Sequence, residues 1–141
     1  MKFLIDTNVL SEALRKRPDD NVAAWFRQTD DSLIYISVAT IAEIRKGVTQ
    51  LPKGKRRDRI DKWLMQGLLQ QYAKRIVPVD AEVALVCGEL MAEHKRAGYV
   101  LYPMDAIIAA SALAHGCTLV TRNIRDFERC GASLVNPWDW A

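Results

Sequence analysis

The chain has 141 residues, half of them hydrophobic and 26% charged, which suits one domain whose core needs no disulfides. Its net charge of +3 is compatible with a polyanionic partner without demanding one, and its three scattered cysteines (Cys87, Cys117, Cys130) have neither an even count nor zinc-ligand spacing. The opening MKFLID carries an acid at position 6 and no small-residue cleavage site, and no run reaches the roughly 20 apolar residues of a membrane span; a cytoplasmic protein without a membrane partner is expected.

KFLID reads as a short buried strand, with Asp6 at its end. Turn-forming residues at 18–21 then precede VAAWF, which starts a helix. SLIYIS, residues 32–37, is rich in β-branched and aromatic types and predicts a second strand. VATIAEIRKGV, residues 38–48, has the helical period, and Pro52 and Gly54 punctuate it. A long helix is predicted from about Asp58 to Ala73, with Ile60, Trp63, Leu64, Leu68 and Leu69 as its apolar stripe. RIVPVD, residues 75–80, predicts a third strand whose final Asp80 caps a helix from Ala81 to about Ala97, closed by Gly98. Asp105 opens a small-residue helix that ends at Gly116, and CTLVT (117–121) and ASLVN (132–136) are strands four and five. Strands alternate with helices, and the strand runs are continuously apolar. Both features predict an α/β sandwich: a central, mainly parallel sheet of about five strands with helices on both faces.

In such a sheet, ligands bind beyond the carboxyl ends of the strands. Asp6 ends the first strand, Asp105 begins a helix where its side chain can cap free N–H groups, and Asp126 follows the fourth strand in TRNIRDF. Glu43 lies inside a helix on a small-residue strip between Ala39 and Gly47, which lets it approach the sheet edge. Gathered carboxylates repel one another and call for a compensating cation. All-oxygen ligation favours Mg²⁺ or Mn²⁺, and such a metal activates water against a phosphodiester. Read one at a time, these acids are equally well a turn residue, a helix cap and a solvated helix position. Two other readings follow from the same residues. One is a phosphatase with a strand-end Asp nucleophile, against which the Asp6-Thr7-Asn8 order speaks. The other is a module that binds RNA or protein without cutting.

Four segments, LIDTNVLSE, SVATIAEIRKGV, PMDAIIAASALAHG and LVTRNIRDF, occur in an order that resembles a PIN-domain protein across essentially the whole chain, and the terminal NPW adds to the likeness. The similarity is strongest to VapC-type toxins of type II toxin–antitoxin pairs, including the FitB-like branch. It implies a single PIN domain over 1–141, a PIN-like three-layer sandwich, and Mg²⁺-dependent endoribonuclease activity with Asp6, Glu43, Asp105 and Asp126 as the catalytic acids. Asp6 and Asp105 become the principal metal ligands. At the fourth position many relatives carry Asp where this chain has Asn123, and others pair Asn there with an acid three positions on, as Asp126 here; either completes the site. Thr7, Asn8 and Ser37 take the role of groups that orient the carboxylates. The resemblance further implies a homodimer and a cognate VapB- or FitA-like antitoxin, the two forming a hetero-oligomer that binds operator DNA.

The dimer is expected to use apolar helix faces around residues 60–69 and 83–91. Arg122 and Arg125 flank the presumed site and are the candidates for holding an RNA strand, ahead of the basic run KGKRRDR at 53–59. Trp25, Trp63, Trp138 and Trp140 are expected in core or interface packing rather than in base stacking, and His94 and His115 at the surface or an interface.

Overall fold

A computed structural model of the chain describes residues 1–140. Five parallel strands form one sheet in the order β3-β2-β1-β4-β5. They are β1 Lys2–Ile5, β2 Ile34–Ser37, β3 Ile76–Val77, β4 Cys117–Val120 and β5 Leu134–Val135. The helices are α1 Thr7–Ala13, α2 Asp20–Gln28, α3 Val38–Gln50, α4 Lys55–Lys62, α5 Leu69–Gln71, α6 Ala81–Arg96, α7 Pro103–Ala114 and α8 Ile124–Phe127.

Strand periodicity explains the layering. Successive side chains point to opposite faces, so neighbours on one strand feed different cores. Leu4 and Leu119 pack with Val83, Leu90, Ile108 and Phe127 on the α6/α7 side. Ile5 and Val120 pack with Val9, Leu10, Trp25, Leu64 and Leu68 on the other. The result is helix, sheet, helix, as the continuous apolar strand runs predict.

Several elements depart from the sequence expectation. The segment after Asp6 folds at once into α1 instead of only turning, because Val9 and Leu10 are buried under the sheet. The helix predicted from Asp58 starts three residues earlier and is interrupted: Trp63–Leu68 is wound as a π-helix between α4 and α5. Leu64 and Leu68 of that stretch lie in the core, Ile60, Trp63 and Leu69 are partly buried, and Met65 is exposed. Along 83–91 Leu85 and Met91 are exposed, and so are Tyr99, Val100, Tyr102 and Met104 in the segment that follows and at the start of α7. Asp80 caps α6 as expected, accepting from the Val83 N–H at 2.9 Å, and Gly98 follows the helix with φ +84°, a conformation costly for any residue with a Cβ. His94 is buried, not superficial: its Nδ1 lies 2.7 Å from the Leu90 carbonyl and its Nε2 3.9 Å from Cys130 Sγ. Among the described residues no helix is long and apolar enough to cross a membrane.

Strand order places the site. The chain builds β1, β2 and β3 outward in one direction, then returns to add β4 and β5 on the other side of β1. Connections therefore diverge at the carboxyl ends of β1 and β4, where open parallel sheets form their ligand crevice. Ile5 pairs with Val120, so Asp6 and Thr121 leave the sheet side by side.

Candidate active site

Asp6 stands at that crevice and is only 5% exposed. Its Oδ1 accepts from the Thr7 N–H at 2.7 Å; its Oδ2 accepts from the Thr121 hydroxyl at 2.8 Å and the Asn8 amide at 3.1 Å. Burial pushes its pKa above the ordinary carboxylate value, and the bonds from Thr121, Thr7 and Asn8 offset part of the rise.

Thr7 ties a second acid to the first. Its main chain holds Asp6, while its hydroxyl donates to Glu43 Oε1 at 2.8 Å, with the Thr40 hydroxyl 3.2 Å away. Glu43 reaches the crevice from α3, and that helix is set in place by Ser37, whose Oγ accepts from the Ala39 N–H at 3.0 Å. Ser37 thus acts as the cap of the helix that carries Glu43.

Asp105 lies in the first turn of α7 and is half-buried. It does not begin the helix or cap it: Pro103 takes the first helical position, Tyr102 precedes it, and no side chain caps that end. The carboxyl has no hydrogen-bond donor among the described residues. Burial raises its pKa to about 6, and the charges of Asp6, Asp126 and Glu43 add to the rise. The other three acids are therefore all electrostatically within reach of Asp105.

Asp126 is exposed on α8, and its charge bears on both Asp6 and Asp105. Asn123 is exposed immediately before α8 and is anchored by its backbone, whose N–H donates to Thr121 Oγ1 at 3.0 Å. Thr121 is the residue that sequence reasoning missed. It is fully buried and joins the loop after β4 to Asp6 by donating one bond and accepting another. The pairing of Ile5 with Val120 is the signal that would have found it, since it makes Thr121 the lateral neighbour of Asp6.

Among the described residues no three His, Cys, Asp or Glu side chains stand close enough to enclose a metal ion by themselves. The acids form a looser ring, all oxygen donors. Such a set suits a hard cation that keeps part of its water shell, and it lacks the nitrogen and sulfur ligands that zinc takes.

Around the ring, Arg122 donates its backbone N–H to Asn8 Oδ1 at 3.3 Å and lays its guanidinium 4.9 Å over the Trp138 ring. Arg125 is exposed on α8. Arg56 and Arg59, from the basic run, border a groove of about 650 Å³ with Thr7 and Glu43 in its wall and Leu10 and Trp63 among its apolar residues. Trp25 is core, as expected.

A parallel α/β sandwich with an acidic ring at its topological switch point defines a class of candidate phosphodiester-cleaving enzymes. Residues 3–132 match the PIN domain. The chain belongs to the PIN-domain family, in its VapC-type branch. It is 38% identical to a VapC ribonuclease, Y4jK, of Sinorhizobium fredii over 97% of this chain and 98% of that protein. It is 36% identical to the toxin FitB of Neisseria gonorrhoeae over 96% of this chain and 98% of that one. Among solved structures, FitAB bound to a DNA fragment superposes with a TM-score of 0.90 at 34% identity, covering 99% of this chain and 97% of that one.

Proposed function

We propose that this chain is the toxin of a type II toxin–antitoxin pair and hydrolyses RNA phosphodiester bonds with Mg²⁺ held at Asp6 and Asp105. The observation that carries this is the gathering of acids at the mouth of the sheet, where Asp6 is fixed beside Thr121, Thr7 links it to Glu43, and Asp105 feels the charges of Asp6, Asp126 and Glu43. Such a ring is costly unless a cation occupies it. The names of the relatives, a ribonuclease and a toxin, support the same reading.

When bound, Mg²⁺ would supply positive charge to a polyanionic substrate and acidify the attacking water. The chain's own groups do the rest. Thr7, Asn8 and Thr121 fix both oxygens of Asp6. Glu43, locked by Thr7, and Asp126, at the open rim, are placed to accept protons from water. Water oxygen attacks phosphorus, one P–O bond breaks, and the departing oxygen takes up a proton. Asn123 or Asp126 completes the ligand set.

The partner of the toxin is an antitoxin of the FitA or VapB kind. Its support is the FitAB complex, solved on DNA, and the groove leading to Thr7 and Glu43 offers an inhibitory segment a path to the acids. Incubating the purified chain with single-stranded and structured RNA, with Mg²⁺ or with EDTA, tests the enzyme reading. Cleavage that needs the metal and disappears in Asp6→Asn is the expected result. RNA binding without cleavage under any metal would overturn it in favour of a non-cleaving module.

A further inference from the structure

The acidic ring raises a problem that its own residues do not solve: an RNA strand must be brought against four carboxylates. Among the arginines with polar contacts, most spend their donors on the fold. Arg75 holds the carbonyls of Asp31, Ile34 and Gln71, and Arg45 is paired with Asp61 at 2.6 Å. Arg122 differs. Only its backbone N–H is engaged, with Asn8, and Asn8 in turn bonds Asp6. Its guanidinium carbon lies 4.9 Å over the centroid of the Trp138 ring, and it has no ion pair or hydrogen-bond acceptor among the described residues. Trp138 is itself held: its N–H donates to Asn136 Oδ1 at 3.0 Å and its carbonyl accepts from the Asn21 amide at 2.7 Å.

A cation held over an aromatic ring needs no hydrogen-bond acceptor, so its N–H donors stay uncommitted to any oxygen. Such a hold also restricts a long side chain before any ligand arrives, so less entropy is lost on binding. An unpaired guanidinium on a residue whose backbone is tied through Asn8 to Asp6 matches the non-bridging oxygens of a phosphate. We propose that Arg122, braced on Trp138, clamps a backbone phosphate of the RNA next to the scissile one and so sets the strand against Asp6 and Asp105. This rests on the nuclease reading. Arg125, on the neighbouring helix without such a brace, is not part of the clamp.

The test uses the full chain carrying Asp6→Asn, so that RNA survives the measurement. Affinity for a fluorescein-labelled single-stranded oligoribonucleotide is followed by anisotropy across a range of NaCl, with Arg122→Ala, Arg122→Lys, Trp138→Leu or the remote Arg96→Ala added. Cleavage by the same variants with Asp6 intact is measured in parallel. Arg122→Ala is expected to weaken binding about tenfold and to lower the salt slope by about 0.7, the share of one phosphate contact on a single strand. Arg122→Lys should restore the slope but not the full affinity, because a point charge lacks the fork. Trp138→Leu should lose affinity with the slope unchanged, and in cleavage both losses should appear mainly in KM. If Arg122→Ala binds and cleaves like Arg96→Ala, the clamp is overturned while the nuclease reading stands. A chain that neither binds nor cuts RNA overturns both.

Discussion

Replacing Asp105 by Asn should abolish cleavage and yet make the protein more stable when metal is chelated. Holding a carboxyl at about 6 rather than at its ordinary 3.8 corresponds to about 3 kcal/mol of unfavourable ionisation if taken at face value. Asp105 is half-exposed, so water and salt screen the repulsion, and about 1.5 kcal/mol is a sounder figure. Asn keeps the volume and removes the charge. It costs no cap, because the Asp105 side chain caps nothing. It does forfeit a negative charge in the first turn of α7, worth about 0.5 kcal/mol against the helix dipole. Repulsion wins by about 1 kcal/mol, or roughly 2–4 °C in Tm for a chain of this size. The pH dependence fixes the cause. The folded pKa of Asp105 is raised, so the penalty is absent below the unfolded value of 3.8, grows as pH climbs toward about 6, and is complete above it. Thermal melts in EDTA from pH 4 to pH 8 should therefore show the variant gaining stability only in the upper part of that range. Saturating Mg²⁺ should shrink the gain, since the cation stabilises the intact ring. A variant that melts below the wild type at pH 8 in EDTA, or gains as much at pH 4, would refute the repulsive-ring argument.

Three further outcomes are expected. Calorimetric titration with Mn²⁺ should show binding by the wild type and none by Asp6→Ala; equal heats would remove Asp6 from the metal site. Thr121→Val deletes a donor to a buried carboxylate and should cost about 1.5–3 kcal/mol at neutral pH. That loss should shrink on acidification toward protonation of Asp6, whose folded pKa is raised and rises further without the bond, as urea titrations at two pH values would show. Light scattering should report a homodimer at micromolar concentration, and Val100→Asp, at a side chain 76% exposed in the single chain, should dissociate it; a monomeric wild type counts against that surface.

Much of this arrangement is legible in the residues. Continuous apolar runs mark β1 and β4 because both faces of the sheet are covered, and an acid directly after such a run is an acid at the strand's carboxyl end. Asp6 was placed by that reasoning alone. Other features depend on contacts the sequence does not display. TNVLSEA is short and mixed in composition, so α1 is visible only once Val9 and Leu10 have a sheet to pack beneath. The π-helical winding from Trp63 to Leu68 preserves an apolar stripe that reads as one uninterrupted helix. Asp105 reads as a cap in the sequence, but Pro103 marks the first helical position two residues earlier. The bond from the Ala39 N–H to Ser37 Oγ, which caps the helix bearing Glu43, is likewise a contact the sequence does not display.

The four acids do not share their repulsion evenly, and hydrogen bonding decides which of them bears it. Asp6 is the more deeply buried, but three donors meet its two oxygens and offset part of the rise that burial imposes. Glu43 has the Thr7 hydroxyl, and Asp126 has solvent. Asp105 is half-buried, receives no donor among the described residues, and feels the other three. The larger unmet demand therefore lies at one carboxyl on the first turn of α7, near enough to Asp6 to feel its charge. A cation placed between these two relieves the largest penalty with the smallest rearrangement, because Asp6 is already fixed and Asp105 has nothing to give up. That asymmetry is the physical reason to expect metal affinity to fall most when either of this pair is neutralised, and less when Glu43 or Asp126 is.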